Sequence, residues 1–295
     1  MEQAMQENAL AVQDGQDVVV HMQNVGFSYT QNRLFNHLDL EIRRGNIYGL
    51  LGKNGAGKTT LLKILSGQLF IEEGETKVLG ENPQERKPSL LSEIFYLPEE
   101  FPLPKMKASE YLAMRSPFYP KFDHEMFSQY CREFDIDLNQ HLDQMSLGQK
   151  KKVLLSFGLA TNTALLILDE PTNGLDIPSK RQFRQTVASA MTEQRTFIIS
   201  THQVRDMENL IDPIIILHDG KVIFNDTVES VNEKYVLSLT TEQPKAGEGM
   251  YTEKVLGGWM VLSERTDDKE GKPLDLETLF NVIIEQSKGS AGGVR

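Results

Sequence analysis

Residues 52–59, Gly52-Lys53-Asn54-Gly55-Ala56-Gly57-Lys58-Thr59, decide how this chain folds. An apolar run (Ile47, Tyr48, Gly49, Leu50, Leu51) leads into them, and a helix-like stretch from Thr60 to Ser66 follows. Strand, glycine loop and helix in that order are the setting a phosphate-binding loop requires. Gly52, Gly55 and Gly57 permit positive φ and let the backbone approach a phosphate with no Cβ in the way. Successive N–H groups, those of Lys53, Asn54 and Ala56 among them, then point at the anion, together with the helix N-terminus at Thr60. Lys58 has the reach for β- and γ-phosphates, and the Thr59 hydroxyl is a Mg²⁺ ligand in such loops. The implied ligand is a nucleoside triphosphate.

A second segment, Leu165-Leu166-Ile167-Leu168-Asp169-Glu170-Pro171, carries the complementary chemistry. Its apolar run delivers two carboxylates to the C-terminal edge of a sheet, where open α/β folds bind ligands. Asp169 is placed to hold the Mg²⁺ hydration shell. Glu170 is placed to polarise a water for attack on the γ-phosphate, as a general base.

The rest of the chain frames these two segments. Its 295 residues, 39% hydrophobic, suffice for one substantial domain and a smaller appendage. Lys+Arg number 31 against 42 Asp+Glu, a formal charge of -11, which argues against a general electrostatic grip on nucleic acid. The single Cys131 has no intramolecular disulfide partner and suits a reducing compartment. No apolar run approaches the ~20 residues that span a bilayer. Residues 1–17 read as a flexible polar tail, neither signal peptide nor amphipathic anchor.

Short strands are expected at Val18–Met22, Leu38–Ile42 and Gly74–Val78. Continuous apolar runs at Ala164–Leu168 and Thr196–Ile199 suit a parallel sheet buried on both faces. Pro213–Leu217 and Lys221–Phe224 flank Asp219-Gly220, a hairpin signal. From Glu99 to Gln144 prolines punctuate helical pieces, one of them with Asp123 as N-cap and a core stripe of Phe127, Tyr130, Cys131 and Phe134. Lys150-Lys151-Lys152 reads as a charged helix face near bound triphosphate, in preference to a nucleic-acid contact given the acidic balance. After Lys234 comes a linker-like stretch (241–247), then a strand at Trp259–Leu262 and a charged turn. A final helix has Asp275 as N-cap, a Leu274–Leu279 staple and a buried face of Leu276, Leu279, Phe280, Ile283 and Ile284. The last residues from Gly289 read as frayed.

Taken in order, the motifs resemble the nucleotide-binding subunit of ABC transporters, over roughly residues 18–234. Met145-Ser146-Leu147-Gly148-Gln149-Lys150 resembles the family signature, Asn173-Gly174-Leu175-Asp176 its D-loop, and Ser200-Thr201-His202 the strand end that carries its switch histidine. Tyr29 resembles the aromatic that stacks on adenine. The resemblance implies an α/β P-loop NTPase of the ABC type: parallel-sheet core, antiparallel β subdomain, helical subdomain (about 99–145) and a small α+β extension (235–295). It implies ATP and Mg²⁺ as ligands, with Thr59, Asp169 and Glu99 toward the metal and His202 toward the γ-phosphate and attacking water. Ser146, Gly148, Gln149 and Asp176 would act in trans on ATP held by a second copy or a related subunit. A separate integral membrane permease is the implied partner, with no nucleic acid. The chain would be cytoplasmic, held to the inner face of the membrane through that permease. Taken alone, Ser146 would be a plain N-cap and Tyr29 a packing aromatic.

Two positions depart from the family pattern. Leu147 stands where the first signature glycine usually is. Glu99 stands where glutamine usually follows Tyr96-Leu97-Pro98; it keeps an acceptor, loses two N–H donors and adds negative charge. Both resemble variants among stand-alone exporter ATPases. A soluble ABC-type ATPase acting on ribosome or DNA is the alternative, although the chain has one phosphate loop and no long heptad insertion.

Overall fold

The alternation of apolar and polar residues early in the chain builds one sheet, and the uninterrupted apolar runs build another. In the computed structural model, which describes residues 17–244, 250–266 and 271–290, β1 (Val18–Tyr29) pairs antiparallel with β2 (Asn32–Arg43). The next strand, β3 (Ile47–Leu51), enters the second sheet, and β4 (Glu73–Val78) returns to flank β1. In β2 the residues Leu38, Leu40 and Ile42 are buried while Asp39 and Glu41 face out, the pattern of a sheet with one covered face.

The second sheet holds β5 (Ile94–Leu97), β6 (Leu165–Asp169), β7 (Thr196–Thr201), β8 (Ile214–His218) and β9 (Lys221–Asp226). Its order is β5-β6-β7-β3-β8-β9, parallel except for the edge strand β9. Every residue of β3, β6 and β7 is buried, because both faces are covered. Successive side chains point to opposite faces. Tyr48, Leu50, Leu165, Ile167 and Ile198 therefore join the cluster that also holds Leu61, Leu62 and Leu65 of the helix Lys58–Leu65. Ile47, Leu51, Leu166, Leu168, Phe197 and Ile199 join the opposite cluster.

Between β5 and β6 lie the helices Ala108–Arg115, His124–Glu133 and Leu147–Ala160. Asp123 caps the second, accepting from the N–H groups of Glu125 and Met126 at 2.9 Å, and its stripe Phe127, Tyr130, Cys131 and Phe134 is buried as the spacing predicts. Phe157 anchors this region: its ring lies 5.0–6.5 Å from those of Phe95, Tyr111, Tyr119, Phe122 and Phe127. Truncating such a ring costs about 3–5 kcal/mol. No helix among the described residues is long and apolar enough to cross a membrane.

Past the helix Val228–Lys234 the chain forms β10 (Tyr235–Thr240), β11 (Tyr251–Val255) and β12 (Gly258–Glu264), in the order β10-β12-β11. The helix Leu276–Ser290 closes it, with Asp275 accepting from the Thr278 N–H at 2.8 Å and Leu274 and Leu279 in one cluster. That helix includes Gly289 and Ser290, two residues expected to be frayed. Val282 belongs to its buried face, a position missing from the expected stripe, while Phe280 and Ile283 are only partly buried. Strands β5, β10 and β11 were not expected. All of the expected tail (1–17) but Asp17, residues 245–247 of the expected linker (241–247), part of the charged turn (267–270) and the last five residues lie outside the described residues.

Candidate functional site

The loop after β3 turns where its glycines demand it. A Cβ on Gly52 would stand 2.6 Å from the Leu217 carbonyl oxygen, and Gly57 has φ +106 at the mouth of the helix Lys58–Leu65. Lys58 is buried, and its Nζ donates to the Gly52 carbonyl at 2.8 Å and the Lys53 carbonyl at 3.4 Å. Burial pulls this ammonium's pKa down, opposed by the charges of Glu170, Asp169 and Glu99. Over the loop opens a cavity of about 510 Å³. Tyr29, Lys53, Asn54, Gly55, Gly57, Lys58, Thr59, Thr60, Glu99, Glu170 and His202 line it, a size within the usual range for small-molecule sites.

The carboxylates at the end of β6 are held from several sides. Ser200 Oγ donates to Asp169 Oδ1, and the Tyr96 hydroxyl donates to Oδ2 at 3.3 Å. Burial first, and the neighbouring carboxylate second, push the Tyr96 phenol above its ordinary range, so it stays a donor. Glu170 adopts a left-handed φ of 47. Its N–H donates to Ser200 Oγ at 3.0 Å, and His202 Nδ1 donates to its Oε1 at 2.8 Å. Lys58 Nζ lies 3.8 Å from the same oxygen. The other oxygen, Oε2, is buried with no hydrogen-bond partner. Burial raises the Glu170 pKa, and the His202 hydrogen bond pulls against it. A buried carboxylate with one oxygen pinned and the other unpartnered, in the wall of a cavity that also holds an ammonium, has the chemistry to take a proton from water beside a phosphate.

The remaining expected residues divide into two groups. Glu99 faces the cavity, its Oε1 accepting from Asn173 Nδ2 at 2.9 Å, and Asn173 is 3.4 Å from Gln203 Nε2. Tyr29 stands half exposed at the rim, its hydroxyl 3.2 Å from Thr60 Oγ1 and its ring edge-on to Phe27. Ser146, Gly148, Gln149 and Asp176, in contrast, line no part of this cavity. Ser146 caps the helix Leu147–Ala160 through a reciprocal box with Gln149, at 3.2 and 2.9 Å. Asp176 caps Ile177–Ser189, accepting from the Ser179 N–H at 2.8 Å; the Ser179 side chain first, and that N–H second, hold its carboxyl below the usual range. These two helix starts touch each other: a Cβ on Gly148 would be 3.1 Å from the Gly174 carbonyl, and one on Gly174 would be 3.2 Å from Leu147 Cδ2. Together with exposed Leu147 and Ile177 they form an open surface.

The three lysines do not form one charged helix face: Lys151 is 2% exposed, and its Nζ donates to the Glu170 carbonyl at 2.8 Å. Leu154 and Leu155, three and four residues on, are buried on the same side, which was the available signal. Ser200 and Tyr96 were likewise quoted only as motif neighbours, although both hold Asp169. Among the described residues no trio of His, Cys, Asp or Glu forms a metal cage. Of the residues expected toward Mg²⁺, Thr59 and Glu99 line the cavity while Asp169 is buried outside its lining; a threonine hydroxyl with one or two carboxylates is the kind of donor set Mg²⁺ takes, with water and substrate phosphates completing the shell.

The ABC transporter family profile matches residues 35–173. The SkfA peptide export ATP-binding protein SkfE of Bacillus subtilis is 31% identical over 214 residues, covering 70% of this chain and 87% of that protein. The lantibiotic transport ATP-binding protein SrtF of Streptococcus pyogenes is 30% identical over 222 residues, covering 74% and 96%. A solved ATP-binding subunit of an ABC transporter superposes with a TM-score of 0.67 at 23% identity, covering 72% of this chain and 92% of that one.

Proposed function

This chain belongs to the ABC transporter ATP-binding family, and from that premise we propose that it binds and hydrolyses ATP to drive a separate membrane-spanning subunit. Its fold is the ABC-type P-loop ATPase fold. The observation that carries hydrolysis is the Glu170 carboxylate, with His202 on Oε1 at 2.8 Å and Oε2 buried and unclaimed.

In this reading the Lys53–Thr60 backbone and the Lys58 ammonium receive the triphosphate, with Tyr29 against the base. Lys58 exchanges its two loop carbonyls for phosphate oxygens of greater charge, a stronger hydrogen bond in a buried place. Glu170 takes the proton of the attacking water through Oε2; its desolvation makes it a better base than a solvated glutamate. His202 keeps that carboxylate aimed. Thr59, Asp169 and Glu99 would hold Mg²⁺, which when bound supplies positive charge against the triphosphate.

The surface of Ser146, Gly148, Gln149 and Asp176 lies outside the cavity of its own chain, which supports its use on ATP held by a second copy. Two chains then close over two nucleotides, and loss of the γ-phosphate removes the bridge between them. Residues 18–234 would form the ATPase unit, with 99–145 its helical subdomain and 235–295 an extension. The place of action would be the cytoplasmic face of a membrane, reached through the permease. Transport names among the relatives, together with the charge of -11, favour this over action on ribosome or DNA.

Glu170→Gln tests the proposal. The change keeps shape and a partner for His202 but removes the base, and loss of general-base catalysis slows turnover by about 10²–10⁴-fold. ATP binding should persist, and light scattering should find a nucleotide-held dimer. Hydrolysis at the wild-type rate would reject Glu170 as the base.

A further inference from the structure

We propose that Lys151 is a positioning residue for hydrolysis, its buried ammonium fixing the Glu170 peptide and tying it to the helix that begins at Ser146. The proposal rests on the reading of Glu170 as the base. Its footing is geometric. Lys151 lies one turn into the helix Leu147–Ala160, 2% exposed, with Nζ 2.8 Å from the Glu170 carbonyl oxygen. The same carbonyl accepts from the Asn173 N–H at 3.2 Å, while the Glu170 N–H is held by Ser200. Both ends of a residue in the left-handed region are therefore clamped, and only its side chain is left to move.

An ammonium in the core is an expensive way to fill space. An apolar side chain of the same length would suit the pocket at least as well if packing were the only demand. What the charge adds is direction. It points at the carbonyl of the base and sits in the negative field of Glu99, Glu170 and Asp169. A peptide held in a sparsely populated conformation returns to its preferred one unless its surroundings over-determine it. Without Lys151 the carbonyl loses its charged donor, and the carboxylate beyond it loses its fixed origin.

The lysine also joins two places that serve different nucleotides in a closed dimer. Ser146 and Gly148 begin the helix that would meet ATP on the twin chain, whereas Glu170 faces ATP on its own. Lys151 spans that gap within one chain, five residues after Ser146. A shift of the helix on closure is thereby delivered to the base.

Lys151→Met and Lys151→Gln in the full-length chain separate positioning from packing. Single-turnover hydrolysis is read per bound ATP, which removes the folded fraction from the result. Lys151→Met is expected to melt at or above the wild-type temperature and to keep KM for ATP within about 2-fold, while kcat falls about 10²-fold, the loss a small misplacement produces. Lys151→Gln, which keeps an N–H donor, should recover part of the rate. Wild-type kcat in Lys151→Met would overturn the proposal. So would failure of both variants to bind ATP, because Lys151 would then be holding the fold. Glu170→Gln, run alongside, keeps the two failures apart: if it hydrolyses normally, the base is misassigned, whatever Lys151 does.

Discussion

Two glycines of the phosphate loop should respond differently to the same added methyl group. Gly57 has φ +106, and a Cβ there would stand 2.8 Å from Phe35 Cε1 and 3.0 Å from Cζ. Carbon atoms pack best near ~3.5–4.0 Å, so ring and loop must separate by roughly 0.7 Å or more. Phe35 is fully buried among close-packed neighbours and has nowhere to retreat. Overpacking of this kind costs about 1–3 kcal/mol, and forcing alanine into positive φ costs about 1–3 more. Gly55 has φ +82, but a Cβ there meets nothing within 4 Å. Gly55→Ala should therefore pay the backbone term alone, and Gly57→Ala should be less stable than it by about 1–3 kcal/mol. Urea unfolding of both variants, with a shared m-value, measures the difference. Equal losses, or a milder effect at Gly57, would refute the claim that Phe35 leaves no room for a side chain at Gly57.

Other tests bear on the site itself. Lys58→Ala removes a charged hydrogen bond worth about 1.5–3 kcal/mol and should weaken ATP binding tenfold or more in a titration; unchanged affinity would remove the phosphate-loop assignment. Glu99→Gln keeps an acceptor for Asn173 and should leave ATP binding intact while changing the hydrolysis stimulated by the permease; no change with the permease present would show the substitution to be neutral. Glu170 has its folded pKa raised, so its contribution to stability is lost as pH rises through that value. Without nucleotide or metal, Glu170→Gln should therefore gain more in melting temperature over the wild type near neutrality than in mild acid. A gap that narrows toward neutrality would contradict the assigned cause.

What the sequence disclosed, it disclosed through pattern length. The five-residue runs of β3 and β6 and the glycine spacing of 52–59 mark their elements clearly. β5 is only four residues, Ile94–Leu97, ended by Pro98, too short to display a period. β1 runs to Tyr29, beyond the expected Met22, because bulges around Asn24 and Gly26 break its alternation. Lys151 is hidden by its neighbours: three lysines in a row read as one charged face, and only the helix register sorts them. The partners of Asp169 come from two other strands, at Tyr96 and Ser200, and chain order alone gives no sign of that convergence. Nor does it show that Ser146 and Asp176 begin adjacent helices.

The boundary expected at Lys234 is chemically shallow. Val231, with Phe224 and Val228 beside it, shares its apolar cluster with Leu237, Leu262 and Leu279, while Leu276 and Ile284 reach into the core of the first part. Arg205, three residues past His202, pairs with Glu277. A preparation trimmed at that boundary to yield a minimal cassette would bare a greasy scar on one side and release the histidine's segment from its strut on the other. Assays on such a fragment would report on a damaged engine, so the whole polypeptide is the proper object for kinetics.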